Sequence, residues 1–246
     1  MREWGSHMGR QGKGGNEKRQ RVQLEVHIMS KCPDARGCMK DLVFPALEKL
    51  GSEIVDFKIS FIGKYVSIYI FCLKYSKVAK LWHNRTTPGN GSVACMHSPG
   101  ECLGNMVHLC GAKLYPYSHA GEKETTTFIP FSQCLIHDYQ KLPDQAFIED
   151  CAKEGGVDFQ KINECLSDQG FEGGIELLKS SVEWSEYLGV WTSCTIRLAG
   201  QRRCVMDGGE WKDCEGGSRV EDLVRDVKAE YYGDKEVDGM KKTEKI

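Results

Sequence analysis

The chain has 246 residues, a formal net charge of −2 and 40% hydrophobic residues, which suits one large globular domain or two small ones. This near-neutral charge excludes a bulk electrostatic attraction to nucleic acid or to a membrane surface. The 12 cysteines are many for a cytosolic protein of this length, and they indicate either an oxidising compartment or metal binding.

The two ends of the chain are polar and charged. Residues 1–20 are basic and rich in glycine, and we expect them to form a disordered tail. They contain no apolar run, so no signal peptide or membrane anchor is visible in this sequence. We expect residues 233–246 to form a loose charged tail. N-glycosylation acceptors at 84–86 and 90–92 are compatible with a secreted glycoprotein.

The first ordered elements are predicted to be a strand, a sharp turn and a helix. Apolar residues alternate with polar or mixed ones over 22–29, which predicts a strand. Apolar residues then recur at three- and four-residue steps, which predicts the body of a helix over about 39–50. Cys32 lies at the expected start of this helix. Pro33 fits the first helical turn because no backbone donor is needed there.

The position of Cys32 makes it a candidate nucleophile. The thiolate is the reactive form of cysteine, and the positive end of a helix stabilises it. Lys31 and Arg36 add positive charge nearby in the sequence. The alternative is that Cys32 forms a structural disulfide, since the chain contains 12 cysteines.

The remaining elements follow from the same periodicities. Alternation over 54–62 predicts a second strand, parallel to the first through the helical crossover. The apolar run 64–75 is too short to span a bilayer and is rich in β-forming residues, so it is a candidate extra strand. Later patterns predict two helices within 143–165, a third over 173–188, a hairpin of 194–198 and 202–206, and a final helix containing 220–231.

In chain order, these elements are strand–helix–strand, a cysteine-rich helical insertion, and helix–strand–strand–helix. A parallel strand pair followed by an antiparallel hairpin, with flanking helices, is the thioredoxin-like arrangement. We therefore predict an α/β, thioredoxin-like domain over 21–232, with a cysteine-rich helical insertion at about 93–170.

The most specific motif of the chain lies at 95–110. Its side chains carry thiols, an imidazole, a carboxylate and an amide at fixed spacing: Cys95, His97, Glu101, Cys102, Asn105 and Cys110. The motif resembles the signature of the gamma-interferon-inducible lysosomal thiol reductase (GILT) family, C-Q-H-G-x2-E-C-x2-N-x4-C, with Met96 in place of Gln and Ser98 in place of Gly. The segments KCPDARGC and SCTIRLAGQRRC are similar to those of fungal members of that family.

The resemblance implies a thioredoxin fold with a disulfide-braced helical insertion. It also implies a lysosomal, vacuolar or secreted enzyme that reduces disulfides of protein substrates at acidic pH. We expect no cofactor, and without a competent second thiol a small external thiol, such as glutathione, would have to resolve the mixed disulfide. On this interpretation, the motif cysteines form structural disulfides, and His97 and Glu101 belong to the local scaffold. The alternative is a zinc site built from Cys95, His97, Cys102 and Cys110, although no C-x2-C knuckle is present.

The sequence departs from the family pattern at the active-site motif. The family motif is C-x-x-C, whereas Ala35 stands here where the second cysteine is expected. Cys38 is the next candidate to pair with Cys32. Six residues of helix rise ~9 Å, whereas a disulfide needs Cα atoms within about 7 Å. A Cys32–Cys38 bridge therefore requires a distorted helix start, which Gly37 would permit.

A second departure lies at Cys194. Thioredoxin folds usually carry a cis-proline just before this strand, packed against the active-site cysteine, and Cys194 occupies that place. We therefore expect Cys194 to lie beside Cys32, either as the resolving thiol or in a permanent bridge with it. The alternative is a buried, unreactive Cys194.

Other segments lead to narrower predictions. Because the family pattern passes quickly from the second strand to the cysteine motif, residues 64–86 are interpreted as foreign to the domain. We expect Cys72, which lies in this segment, to be unpaired. Cys204 and Cys214 bracket a turn and are expected to pair locally. Cys134, Cys151 and Cys165 lie in or near the insertion, and their pairing cannot be deduced from the sequence.

Three functions are compatible with these residues. In the first, the Cys32 thiolate attacks a substrate disulfide, and Cys194 or Cys38 then releases the reduced substrate. The second is a non-catalytic, disulfide-stapled thioredoxin-like module that binds a partner. The third is a metal or iron–sulfur site built from Cys32 and Cys194. We expect no nucleic-acid partner and no membrane span.

Overall fold

The computed structural model describes residues 19–66, 92–117, 128–168, 170 and 173–233. Several predictions from the sequence lie outside these ranges: those for 1–18, for 67–86, for both glycosylation acceptors, for Cys72 and for 234–246. Within the described ranges, no helix combines the length and the apolar character needed to cross a lipid bilayer.

Seven strands are found in the described part of the chain. They are β1 (Val22–Ile28), β2 (Val55–Phe61), β3 (Lys64–Val66), β4 (Ser92–Ala94), β5 (Thr195–Leu198), β6 (Gln201–Asp207) and β7 (Glu210–Lys212). Five of them form one sheet in the order β2-β1-β5-β6-β7, and β3 pairs with β4 in a separate ribbon. The candidate extra strand at 64–75 is therefore present at 64–66, and its remaining residues lie outside the described ranges.

Eight α-helices surround the sheet in the described residues. They are α1 (Pro33–Cys38), α2 (Phe44–Leu50), α3 (Pro99–Leu114), α4 (Phe128–His137), α5 (Gln145–Gly155), α6 (Phe159–Ser167), α7 (Gly174–Tyr187) and α8 (Val220–Tyr232). A π-helical segment, Met39–Val43, joins α1 to α2, and a 3₁₀ turn, Tyr139–Lys141, follows α4.

The pairing of the sheet strands is that of a thioredoxin-like fold. β1 is parallel to β2, with Val22 opposite Val55, and antiparallel to β5. β5 and β6 form the predicted antiparallel hairpin, and β7 extends it. The α/β, thioredoxin-like prediction is confirmed, with the predicted strands in place and one further strand, β7, added at the sheet edge.

Both faces of β1 are buried from Leu24 to Ile28, so this part of the strand lies inside the core. Leu24, Val26 and Ile28 are fully buried, as an apolar alternating pattern requires. The other face carries Glu25 and His27, which are also buried. α7 covers that face, since Trp184 Nε1 donates to Glu25 at 2.8 Å and Ser185 Oγ lies 2.9 Å from His27 Nδ1.

The helix that follows Cys32 changes its hydrogen-bonding pattern in its middle. Pro45 has no backbone N–H, so it cannot donate the regular α-helical hydrogen bond at that point. The Phe44 N–H bonds to the Met39 carbonyl, five residues back, which defines the π-helical segment. The predicted helix body at 39–50 is therefore present, but it is divided between a π-helical part and α2.

The helices between β4 and α7 pack around a second, smaller apolar cluster. Its buried side chains come mainly from α3 to α6: Val107, Phe131, Leu135, Leu142, Ile148, Cys151 and Ile162 are among them. Asp144 and Asp158 cap α5 and α6 through bonds to N–H groups of the first turns. The Cys110–Cys165 and Cys134–Cys151 disulfides fasten the helices together. This is the predicted cysteine-rich helical insertion.

Candidate active site

Cys32 is the N-cap residue of α1, as the sequence predicted. Its backbone is extended (φ −89°, ψ 129°), and Pro33 occupies the first helical position. Within the described ranges, Cys32 is the cysteine that has no disulfide, and 8% of its surface is exposed. Its Sγ lies 3.8 Å from the carbonyl oxygen of Ser193. A reduced thiol therefore lies at the start of a helix, beside the loop that enters β5.

Side chains from two other elements bind the backbone just before Cys32. The Met29 N–H donates to Ser193 Oγ at 2.9 Å. The Ser30 N–H donates to Asn105 Oδ1 at 3.0 Å, and the Lys31 N–H donates to Glu101 Oε2 at 3.3 Å. Three consecutive N–H groups are thus satisfied by side chains rather than by a strand or a helix.

Glu101 and Asn105 are the carboxylate and the amide of the 95–110 motif, and both are fully buried. They are four residues apart on α3, so they lie on one face of that helix. The Glu101 carboxylate also accepts the His97 N–H at 3.3 Å and lies 2.5 Å from His97 Nδ1. Asn105 Nδ2 lies 3.6 Å from the sulfur of Cys95. The motif therefore reaches the Cys32 loop directly.

The two basic side chains near Cys32 in the sequence bind carbonyl groups elsewhere in the chain. Lys31 Nζ donates to the carbonyls of Gln140, at 3.2 Å, and Leu142. Arg36 Nε donates to the carbonyl of His137 at 3.0 Å. The predicted positive charge therefore contacts the last residue of α4 and the chain just after it.

Asp34 faces the sheet edge. Its carboxylate accepts the N–H groups of Gly208 and Gly209, at 2.9 and 2.8 Å, in the turn between β6 and β7. The start of α1 is thus bound to this hairpin turn.

Cys194 bonds to Cys38, whereas the sequence allowed a bridge to Cys32. The two Cα atoms of Cys38 and Cys194 are 6.3 Å apart, and both residues are fully buried. The Ser193–Cys194 peptide bond is cis. Cys194 also pairs with Met206 through two backbone hydrogen bonds of 3.1 and 2.9 Å. No Cys32–Cys38 bridge forms, because Cys38, six positions further along the helix, faces Cys194.

A comparison with models of known protein families finds a match that includes Cys32 and the 95–110 motif. The model of the gamma interferon inducible lysosomal thiol reductase (GILT) family matches residues 23–155, which is more than half of the chain. The chain belongs to the GILT family. The match runs from β1 to the end of α5, so it includes Cys32, Cys38 and the whole 95–110 motif.

A curated relative carries the GILT name as well. GILT-like protein 1 of Drosophila melanogaster is 26% identical over 167 residues, which are 65% of this chain. The chain spans 58% of the length of that relative.

Solved structures of similar shape include two bacterial proteins. BdbD from Bacillus subtilis, in its oxidised form, is 14% identical with a TM-score of 0.48, and the alignment covers 89% of this chain and 91% of that one. The reduced disulfide bond oxidoreductase DsbG from Mycobacterium tuberculosis is 14% identical with a TM-score of 0.49, covering 89% and 86% of the two chains.

In this GILT-family chain, the motif cysteines form disulfides. Cys95 bonds to Cys102, and Cys110 bonds to Cys165 in α6. These bonds remove three of the four ligands of the alternative zinc site, so that interpretation is wrong for this structure. The Cys38–Cys194 bond likewise removes one cysteine from the alternative metal site at Cys32 and Cys194. The described residues contain no group of three or more side chains arranged to hold a metal ion.

Reasoning from the sequence named Cys32, Cys194 and Cys38 but missed their polar neighbours. Ser193 and Asn105 were assigned no role, and Glu101 was assigned only to its own helix. The four-residue spacing of Glu101 and Asn105 was the available signal, because it places two acceptors on one helix face. The sequence does not show which loop that face contacts.

Proposed function

We propose that this protein is a thiol-disulfide oxidoreductase that reduces disulfides of protein substrates through Cys32. The observation that carries the proposal is the free thiol of Cys32 at the N-terminus of α1, next to a disulfide of two buried cysteines. A helix N-terminus favours the thiolate form, which is the nucleophile in disulfide exchange. The family name and the thioredoxin-like topology support the same chemistry.

The first step is an exchange of sulfur partners. The Cys32 thiolate attacks one sulfur of a substrate disulfide, forms a mixed disulfide and releases the other substrate sulfur as a thiolate that takes up a proton. Reduction of the substrate is then half complete. A second thiol must attack Cys32 Sγ to release the remaining substrate thiol.

We assign that second thiol to the Cys38–Cys194 pair in its reduced form. Cys194 follows Ser193, whose carbonyl oxygen lies 3.8 Å from Cys32 Sγ. Attack by Cys194 on Cys32 releases the substrate and forms a Cys32–Cys194 bond. Cys38 then attacks Cys194, frees Cys32 and forms the Cys38–Cys194 bond. This proposed oxidised end state has the same Cys38–Cys194 bond as the structure. Two molecules of a small thiol then reduce that bond to two thiols and are themselves joined in a disulfide.

The supporting features also favour an oxidising compartment of the secretory pathway, such as the lysosome, the vacuole or the exterior. Ten of the 11 cysteines in the described ranges form five disulfides, a number typical of proteins outside the cytosol.

Insulin reduction with glutathione as the electron source tests the proposal at acidic and at neutral pH. We expect Cys32→Ser to abolish turnover, and Cys38→Ser and Cys194→Ser to lower it strongly. The double variant Cys134→Ser/Cys151→Ser, which lacks a disulfide of the insertion, is the matched control and should retain turnover. Full activity of Cys38→Ser and Cys194→Ser would show that an external thiol resolves Cys32.

The alternative function is the non-catalytic binding module. Ala35 at the position of the second motif cysteine favours it, since no C-x-x-C pair exists. Absence of turnover by the wild-type protein at both pH values, with Cys32 free and the protein folded, would select this alternative.

A further inference from the structure

The buried face of α3 makes three hydrogen bonds to residues 29–32, the Cys32 loop that joins β1 to α1. Asn105 and Glu101 bind the N–H groups of Ser30 and Lys31, the two residues that precede Cys32. Ser30 Oγ also donates to the Glu101 carbonyl at 3.2 Å. Two side chains and one carbonyl of a single helix therefore bind the two residues that precede Cys32.

The same loop has only a few other contacts among the described residues: the Met29 N–H donates to Ser193 Oγ, and Lys31 Nζ donates to the carbonyls of Gln140 and Leu142. β1 ends at Ile28 and α1 begins at Pro33, so residues 29–32 lie between these elements and lack the regular backbone hydrogen bonds of a strand or a helix. The Cys32 N–H bonds back to the Met29 carbonyl at 3.0 Å, which closes a tight turn. A shift of Ser30 and Lys31 would therefore move Cys32 with them.

The Glu101 carboxylate is itself held in place. It is fully buried, and its oxygens contact the N–H and the ring nitrogen Nδ1 of His97 as well as the Lys31 N–H. The Cys95–Cys102 disulfide closes the loop that carries His97. Charge-assisted bonds to backbone N–H groups are among the stronger hydrogen bonds in proteins.

We propose that Glu101 and Asn105 are positioning residues for the Cys32 thiol, acting through the backbone of Ser30 and Lys31. This inference rests on the proposed function, because a positioned nucleophile matters only if Cys32 reacts. In this proposal, the Glu101 carboxylate and the Asn105 amide control the reactivity of the Cys32 thiol. Displacing a reacting group by about 1 Å costs reaction rate by as much as about 100-fold.

The test measures the reactivity of Cys32 without any substrate turnover. The disulfide-intact protein is treated with iodoacetamide between pH 4 and pH 9, and peptide mapping by mass spectrometry gives the alkylation rate of Cys32 at each pH. We expect Glu101→Met and Asn105→Leu, which remove the acceptors at similar volume, to change the rate about tenfold or more and to shift its pH profile.

Conservative variants and a matched control separate positioning from stability. Asn105→Asp keeps the acceptor for the Ser30 N–H and should retain the wild-type profile, whereas Glu101→Gln should be intermediate. Ser181→Ala removes an equivalent buried bond, from the Phe61 N–H at 2.7 Å, at the end of β2. It should lower the unfolding free energy and leave the Cys32 profile unchanged.

The alkylation profiles test the positioning role, and the insulin assay tests the proposed function, so each proposal can fail without the other. Wild-type profiles in folded Glu101→Met and folded Asn105→Leu would overturn the positioning role, even if the protein reduces insulin. If an apolar variant fails to fold, the Gln variant decides, and an unchanged profile there also overturns it. Altered profiles combined with no insulin reduction by the wild type would instead reject the proposed function alone.

Discussion

Cys38 and Cys194 are joined by a disulfide although 156 positions of sequence separate them. The bond connects the end of α1 to the loop before β5, and both residues are completely buried. Together with the contact of Ser193 to the Cys32 sulfur, it keeps the helix start and the cis-peptide loop side by side. The candidate nucleophile and its proposed resolving pair therefore share one small region of the fold.

Removing the Cys38–Cys194 disulfide should destabilise the protein more than removing the Cys204–Cys214 disulfide, which links β6 to the chain just after β7. Closing a loop of this length restricts the unfolded chain by about 5 kcal/mol in the chain-entropy model, and closing the 10-position separation of Cys204 and Cys214 by about 3 kcal/mol. Urea unfolding of Cys38→Ser/Cys194→Ser and of Cys204→Ser/Cys214→Ser measures the difference. A larger loss in the second variant would contradict the expectation.

Acidic pH should lower the stability of the folded protein through two buried histidines. Burial lowers the pKa of His27 to about 4, with the charges of Arg197 and Lys58 adding to the effect. Burial alone lowers the pKa of His108 to about 3. The unfolded chain binds protons at these side chains below about pH 6.5 while the folded protein does not.

The free energy of unfolding should therefore decrease as the pH falls from 6.5 towards 4. Each histidine should account for a loss on the order of 2 kcal/mol by pH 5. Urea unfolding of the oxidised protein at pH 7.5 and pH 5 measures the change. His108→Asn should weaken the pH dependence. Equal pH dependence in His108→Asn and the wild type would show that His108 does not contribute to the loss of stability at acidic pH.

Asp34 should stabilise the contact between α1 and the β6–β7 turn. Asp34→Ala leaves the N–H groups of Gly208 and Gly209 without their carboxylate acceptor, and we expect a loss of about 1–3 kcal/mol. Asp34→Asn retains one acceptor oxygen and should lose less. Asp41→Ala, at an exposed aspartate of the same helical run, serves as the control and should stay within about 0.5 kcal/mol of the wild type in thermal unfolding.

Gly104 should tolerate no side chain, because α3 passes close to the Cys32 loop. A Cβ atom at this position would lie 2.7 Å from Ser30 Oγ and 3.0 Å from Leu142 Cδ1. Gly104→Ala should cost about 1–3 kcal/mol of unfolding free energy, although alanine is the better helix former. Adding Ser30→Ala removes the closest atom and should recover part of the loss. A Gly104→Ala protein more stable than the wild type would show that the loop moves freely.

Local patterns predicted most elements because each pattern reflects a face that must be buried. The alternation over 22–29 and 54–62 predicted β1 and β2, and the three- and four-residue steps predicted α2, α7 and α8. α4 was missed, although Phe128, Phe131, Leu135 and Ile136 have helical spacing. β7 was missed because three residues are too few for a period to be recognised.

The order of the predicted strands and helices indicated the fold class and the 95–110 motif indicated the family, since both follow from patterns of neighbouring residues. Which cysteines pair depended on the order of strands in the sheet, which brings Cys194 to Cys38 and places Ser193 beside Cys32. The contact of Glu101 and Asn105 with residues 30 and 31 was likewise decided by the packing of α3. Contacts between residues some 70 to 160 positions apart require the folded backbone, because no local pattern records which distant surface a helix face meets.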